Sequence, residues 1–198
     1  MSRSVRWSLL TMAGLAAGVL AALVLGEPIE AVVGMMLVTP ALTLLVGAVL
    51  GTSQWLDVKH RVARARAWIP ATCLGLGAGL ALGVVIVELT GRFLTGGQVN
   101  VVGLGAGTRA LSLLVVGVTA GLCMGATQWL AVLRRHGSPA SRWIGASALA
   151  LGVAFSASSL VVDALLGGLT SPVGIVSLLL LTGLLFGAGT ARALPKAT

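Results

Sequence analysis

The chain has 198 residues, 57% of them hydrophobic and only 9% charged, with a mean hydropathy of +1.05. A soluble domain carries about 25% charged residues, and no water-soluble fold hides this much apolar surface, so a soluble globular protein is excluded. The formal charge of +8 and a pI near 11.6 would suit a nucleic-acid binder, but the basic residues stand in short runs between apolar stretches. That placement is a topology signal, and no nucleic acid is expected as a partner.

Arg3 and Arg6 precede the first apolar run, Trp7 to Leu25. It outlasts the roughly 7 to 15 residues of a signal-peptide core, and no small-x-small cleavage site follows before Glu27 and Pro28, so a retained helix is expected. Glu27 and Glu30 then read as a solvated corner in a tight turn. The second run, Ala31 to Gln54, contains Pro40, which is expected to kink the helix and free a carbonyl for a neighbouring hydroxyl or a solute.

Further runs are Trp68 to Leu89, Thr108 to Leu130, Trp143 to Val162 and Pro172 to Ala191. At 1.5 Å per residue the six measure roughly 27 to 35 Å, each enough for a hydrocarbon core about 30 Å thick. Backbone amides in lipid need partners within the same segment, so spans of this length are helices. The expected fold is all-α: one transmembrane domain over residues 1–198 with six membrane helices.

Eleven of the thirteen Lys and Arg residues fall on one side of this topology, and only Arg92 and Arg109 on the other. The positive-inside rule makes the first side cytoplasmic and puts both termini there. Glu27, Glu30, Glu88 and Asp163 lie at outer ends, leaving Asp57 as the inner acid. Glu88 stands twenty residues past Trp68, about 30 Å along a helix. It is expected at the outer interface near Arg92 rather than at mid-membrane.

The chain resembles itself. Helices one, three and five open with Arg6-Trp7, Arg66-Ala67-Trp68 and Arg142-Trp143, and four residues after each Trp stands Thr11, Thr72 or Ser147. Small residues follow: Gly14 and Gly18, Gly75 and Gly79, Ala150 and Ala154. Helices two, four and six share Gly47 with Gly51, Gly121 with Gly125, and Gly183 with Gly187. The first two pairs lead to Gln54-Trp55-Leu56 and Gln128-Trp129-Leu130, whereas the third has decayed to Gly189-Thr190-Ala191. Trp7 to Gln54 and Trp143 to Thr190 both span 47 residues, while Trp68 to Gln128 spans 60 because of the loop around Gly91 to Gly107.

Three tandem hairpins, approximately 6–56, 66–130 and 142–194, account for these matches. Each enters from the same side, so they are parallel and related by a pseudo-threefold axis along the membrane normal. Small residues at i and i+4 let helix backbones approach closely in lipid, and the six small-xxx-small faces are expected to line contacts within and between hairpins. The Trp residues are expected as headgroup-level anchors. Gln54 and Gln128 are candidates for a hydrogen bond to a neighbouring helix, a helix cap or contact with a polar ligand.

On the stretches Gly47 to Leu56 and Gly121 to Leu130, with Trp68 and Trp143 after them, the chain resembles a group of small bacterial polytopic membrane proteins. These carry repeated G-x-x-x-G-x-x-Q-W-x-x-L segments followed by a basic loop and a Trp-led helix; the match here runs as far as the Gln-Trp pair. The resemblance implies a six-helix membrane fold and brings no activity with it.

Chemistry-bearing motifs are weak. Val102 to Thr108 imitates a dinucleotide fingerprint, but Thr108 takes its last glycine position and no strand-turn-helix unit surrounds it. His60 and His136 lack the companion ligands of a metal site. Ser156, Ser158, Ser159 and Asp163 have no histidine at their depth. Cys73 and Cys123 lie within apolar runs and read as packing residues. No cofactor and no metal are therefore expected.

Two functions compete: a non-catalytic protein acting by helix contact with a partner or lipid, and a small-solute carrier or channel along the pseudo-threefold axis. Carriers keep polar groups near mid-membrane, and the set here (Thr39, Pro40, Thr43, Thr119, Ser156 to Ser159) is modest. The basic inner loops are expected to meet anionic lipid headgroups. Arg-rich loops and alanine-rich spans suggest a bacterial inner membrane.

Overall fold

The computed structural model describes residues 2–62, 64–95, 105–136, 139–166 and 172–194. They form six long helices: α1 (Arg3–Val33), α2 (Met35–Val58), α3 (Trp68–Thr95), α4 (Ala106–Ala131), α5 (Ala140–Leu166) and α6 (Pro172–Ala191), with no strand among them. All six are long and apolar enough to cross a membrane. The chain is an all-α polytopic membrane protein.

The first connection differs from the expected corner. α1 continues as helix through Glu27, Pro28 and Glu30, and the chain reverses at Gly34 alone, with φ 79°. With ψ 162° this is an extended backbone at positive φ, which glycine adopts because it carries no Cβ to clash, and the Gly34 N–H closes α1 by donating to the Glu30 carbonyl at 2.8 Å. Pro28 removes one backbone donor without ending the helix. Glu27 reaches the membrane edge all the same, because it lies twenty residues, about 30 Å, past Trp7.

Each helix packs against the helices before and after it, and α1 also packs against α6, so the six close into a ring. Neighbours are antiparallel: Gly14 and Gly18 of α1 meet Leu50 and Val46 of α2, while Gly75 and Gly79 of α3 meet Met124 and Ala120 of α4. The backbones approach closely where the glycines stand. A Cβ placed on Gly47 would lie 2.8 Å from Cys73 Cα, on Gly121 2.7 Å from Ala148 Cα, and on Gly183 2.6 Å from Met12 Cα. One turn on, Gly51, Gly125 and Gly187 face Ile69, Ile144 and Ser8. The facing residues are respectively five and one positions after Trp68, Trp143 and Trp7.

The middle of the ring is filled. One buried cluster holds Leu15, Leu76 and Leu151, each eight residues after a Trp, together with Leu50, Met124 and Phe186, each four residues before Gln54, Gln128 or Thr190. A second cluster, at the end where α1, α3 and α5 begin, holds Trp7, Trp68 and Trp143 with Val58, Val132 and Ala191 around them. At the opposite end Arg92 pairs with Glu88 on the same helix at 2.8 Å, as expected for an interfacial charge. There too, Arg109 of α4 bonds Asp163 of α5, and this pair ties adjacent helices together.

Candidate functional site

Trp7, Trp68 and Trp143 turn inward, toward one another and away from the lipid-facing surface. Their relative exposures are 0%, 0% and 1%, and they meet one another edge-to-face, with ring centroids 6.1 Å (Trp7–Trp68), 6.5 Å (Trp7–Trp143) and 5.5 Å (Trp68–Trp143) apart. The tilted arrangement puts the positive edge of each indole against the negative face of another. A buried indole must also place its N–H, which can only donate. The structure meets that demand with Gln54, Gln128 and Thr190.

Trp143 Nε1 donates to Gln128 Oε1 at 3.2 Å, and Gln128 Nε2 donates to Thr72 Oγ1 at 2.9 Å. Thr72 Oγ1 in turn donates to the Trp68 carbonyl at 2.8 Å. One amide thereby joins α3, α4 and α5. Because the indole only donates, the amide orientation is fixed: oxygen toward Trp143, nitrogen toward Thr72. The same arrangement recurs one hairpin earlier, where Trp68 Nε1 donates to Gln54 Oε1 at 3.1 Å and Gln54 Nε2 to Thr11 Oγ1 at 3.4 Å. Gln54 and Gln128 are each 1% exposed.

The third place in the network is shorter by a side chain. Thr190 stands where a Gln would be, and Trp7 Nε1 donates directly to its Oγ1 at 2.9 Å. Thr190 cannot reach across to α5, and the Ser147 hydroxyl, 0% exposed, has no hydrogen-bond partner among the described residues. Ser147→Ala is therefore expected to be neutral or slightly stabilising, whereas Thr72→Val, which orphans an amide N–H, costs roughly 1–2 kcal/mol. Unfolding titrations of the two variants in mixed micelles check the difference.

Around the triad lie charged groups. The Asp57 carboxylate is buried and forms ion pairs with Arg6 at 3.3 Å and Arg61 at 3.2 Å, so this acid ties the start of α1 to the end of α2. Arg6 also reaches the Leu56 carbonyl, as Arg142 reaches the Arg192 carbonyl at 2.8 Å. Lys59 sits over the Trp55 ring, 5.1 Å from its centroid.

Pro40 stands apart from the network. It lines an outward-facing groove of about 450 Å³ between α2 and α3, with Thr39, Thr43, Leu74 and Gly77 among the walls. Thr43 satisfies itself by donating to the Thr39 carbonyl at 2.9 Å. Ser158, Ser159 and Thr182 are fully buried with hydroxyls unpartnered among the described residues. Three residues of the glycine-rich stretch, 102–104, and the side chain of His136 lie outside the described residues; His60 is exposed. No group of three metal-ligating side chains occurs among the described residues.

The structure thus joins Gln54 and Gln128 to partners not expected from the sequence, Trp68 and Trp143 with Thr11 and Thr72, and sets Trp7 with Thr190 beside them. The available signal was the hydroxyl four residues after each Trp. Apart from Ser147, the arrangement pairs its donors with acceptors of its own, and among the described residues it sets no nucleophile beside a base. No family model, curated protein or solved structure matches the chain.

Proposed function

We propose that this is a non-catalytic membrane protein that acts through its outer surface, by contact with lipid or with another membrane protein. The observation that carries this reading is the filled axis: the indole triad and the apolar layer beside it occupy the line a carrier would use, and Gln54 and Gln128 are turned to neighbouring helices. Open space lies on the outside, in the groove at Pro40 and beside the basic turn after α2.

The three hairpins are, in this reading, copies of one unit related by a threefold axis along the membrane normal. Supporting it are the matched hydrogen bonds of Gln54 and Gln128 and the matched close approaches at Gly47, Gly121 and Gly183 and at Gly51, Gly125 and Gly187. With ten of the described basic residues at the Trp end, that end faces the cytoplasm of a bacterial inner membrane and its anionic headgroups.

Reconstitution in liposomes tests the reading. Flux of ions and small polar solutes is expected to equal that of protein-free vesicles, while native mass spectrometry from nanodiscs retains lipid or a co-purifying membrane protein. Flux that Gln54→Leu or Gln128→Leu changes would replace the contact reading with a carrier.

A further inference from the structure

The turn between α2 and α3 has a feature that the opposite end of the ring and the triad do not explain. The chain leaves α2 after Val58, turns back through Arg64 in the left-handed conformation (φ 61°), and enters α3 by a short 3-10 turn, Ala65–Ala67. This path encloses a pocket of about 480 Å³ walled by Trp55, Val62, Ala65 and Ala67 and rimmed by Lys59, Arg64 and Arg66. All three cations are exposed, and among the described residues none forms an ion pair, the one acid in the vicinity, Asp57, being taken by Arg6 and Arg61. The Trp55 indole N–H, buried, meets no acceptor among the described residues.

We propose that this pocket holds the headgroup of one anionic phospholipid, its phosphate between Lys59, Arg64 and Arg66 and its glycerol end on Trp55. The chemistry is amphipathic in the required sense: an apolar floor continuous with the membrane-spanning part of α2, and a cationic rim at the depth where lipid phosphates lie. A water-soluble anion would satisfy the rim and leave the apolar floor uncovered. The αL conformation at Arg64 is one a non-glycine residue seldom adopts, and it sets Arg64 and Arg66 on the same rim as Lys59. The inference rests on the contact reading above and narrows it to one ligand class and one place.

The test uses the full chain in nanodiscs of phosphatidylcholine doped with phosphatidylglycerol, with retained lipid counted by native mass spectrometry. The parent is expected to retain one phosphatidylglycerol selectively. At about 1 kcal/mol for each basic residue near an anionic surface, the variant K59Q/R64Q/R66Q loses roughly 100-fold in apparent affinity, and R64Q alone roughly 5-fold. The control R134Q/R135Q/R192Q removes three exposed charges from the same end and retains the lipid. Parent-like retention by K59Q/R64Q/R66Q and R64Q overturns the proposal, and so does an equal loss in the control. Millimolar inorganic phosphate is expected to leave the lipid in place; displacement would assign the pocket to a free anion and overturn the lipid reading. Solute flux with selective retention intact would remove the contact reading and leave this site standing.

Discussion

Gly121→Ala is expected to lower stability by at least about 2 kcal/mol. A Cβ at this position would stand 2.3 Å from the Ser147 carbonyl oxygen and 2.7 Å from Ala148 Cα. Both obstacles are backbone, so no side chain can rotate away, and α4 and α5 must part to admit the methyl group. In lipid, parting two helices forfeits the dispersion contacts that hold them, since no hydrophobic drive pushes them back together. Gly145→Ala makes the contrast on α5 itself. Nothing lies within 4 Å of a Cβ there, and the gain in helix propensity predicts a rise of roughly 0.5–1 kcal/mol. Reversible unfolding of the two variants in mixed micelles measures both signs, and a Gly121→Ala variant as stable as the parent would show that the α4–α5 approach is looser than drawn.

Gln128→Leu is the second large loss. The volumes are similar, so packing changes little, but Trp143 Nε1 loses its acceptor and Thr72 its donor in a site that is 1% exposed or less. A made hydrogen bond between membrane helices contributes only about 0.6 kcal/mol on average. An orphaned buried donor costs more, roughly 1–3 kcal/mol. Gln54→Leu is expected to cost less than Gln128→Leu, because the bond from Gln54 to Thr11 is 3.4 Å long against 2.9 Å for Gln128 to Thr72. A double-mutant cycle of Gln128→Leu with Trp143→Phe isolates the shared bond: the pair should cost clearly less than the sum. Additive losses would mean that the amide and the indole act independently.

These two expectations differ in how far they could be read from the chain alone. Glycines four apart on α2, α4 and α6 mark a close face without structure, because small residues in a membrane helix are there for approach. Which helix each face approaches is another matter: Gly47 lies against α3 and Gly183 against α1, and neither follows from spacing. Helix ends are hidden in the sequence where a charge closes an apolar run. Hydropathy stops α1 at Leu25, yet the helix carries Glu27 and Glu30 onward to Val33, and it stops α3 at Leu89, yet the helix continues through Arg92 to Thr95. A charged side chain at the membrane edge interrupts an apolar run without interrupting hydrogen bonding along the backbone.

The Trp residues are the instructive case. Placed beside arginines at span ends, they read as anchors, since indole rings favour the headgroup region. What outweighs that preference here is the supply of partners: a Gln on the preceding helix for Trp68 and Trp143, Thr190 of α6 for Trp7, and neighbouring indoles for all three. Only Trp55 and Trp129, immediately after those glutamines, are left at the periphery of the cluster. Their position could not be told from that of Trp68 by composition or by depth.

The ring also has consequences for how the protein is made. α1 enters the membrane first, yet Trp7 takes its acceptor from Thr190, 183 positions later, and the glycines that receive Ser8 and Met12, Gly187 and Gly183, belong to α6. Until α6 is made, α1 keeps an unsatisfied indole and an unfilled seam. The ring therefore closes only once α6 is in place, and a product that stops short of α6 leaves the Trp7 N–H without its acceptor in the membrane.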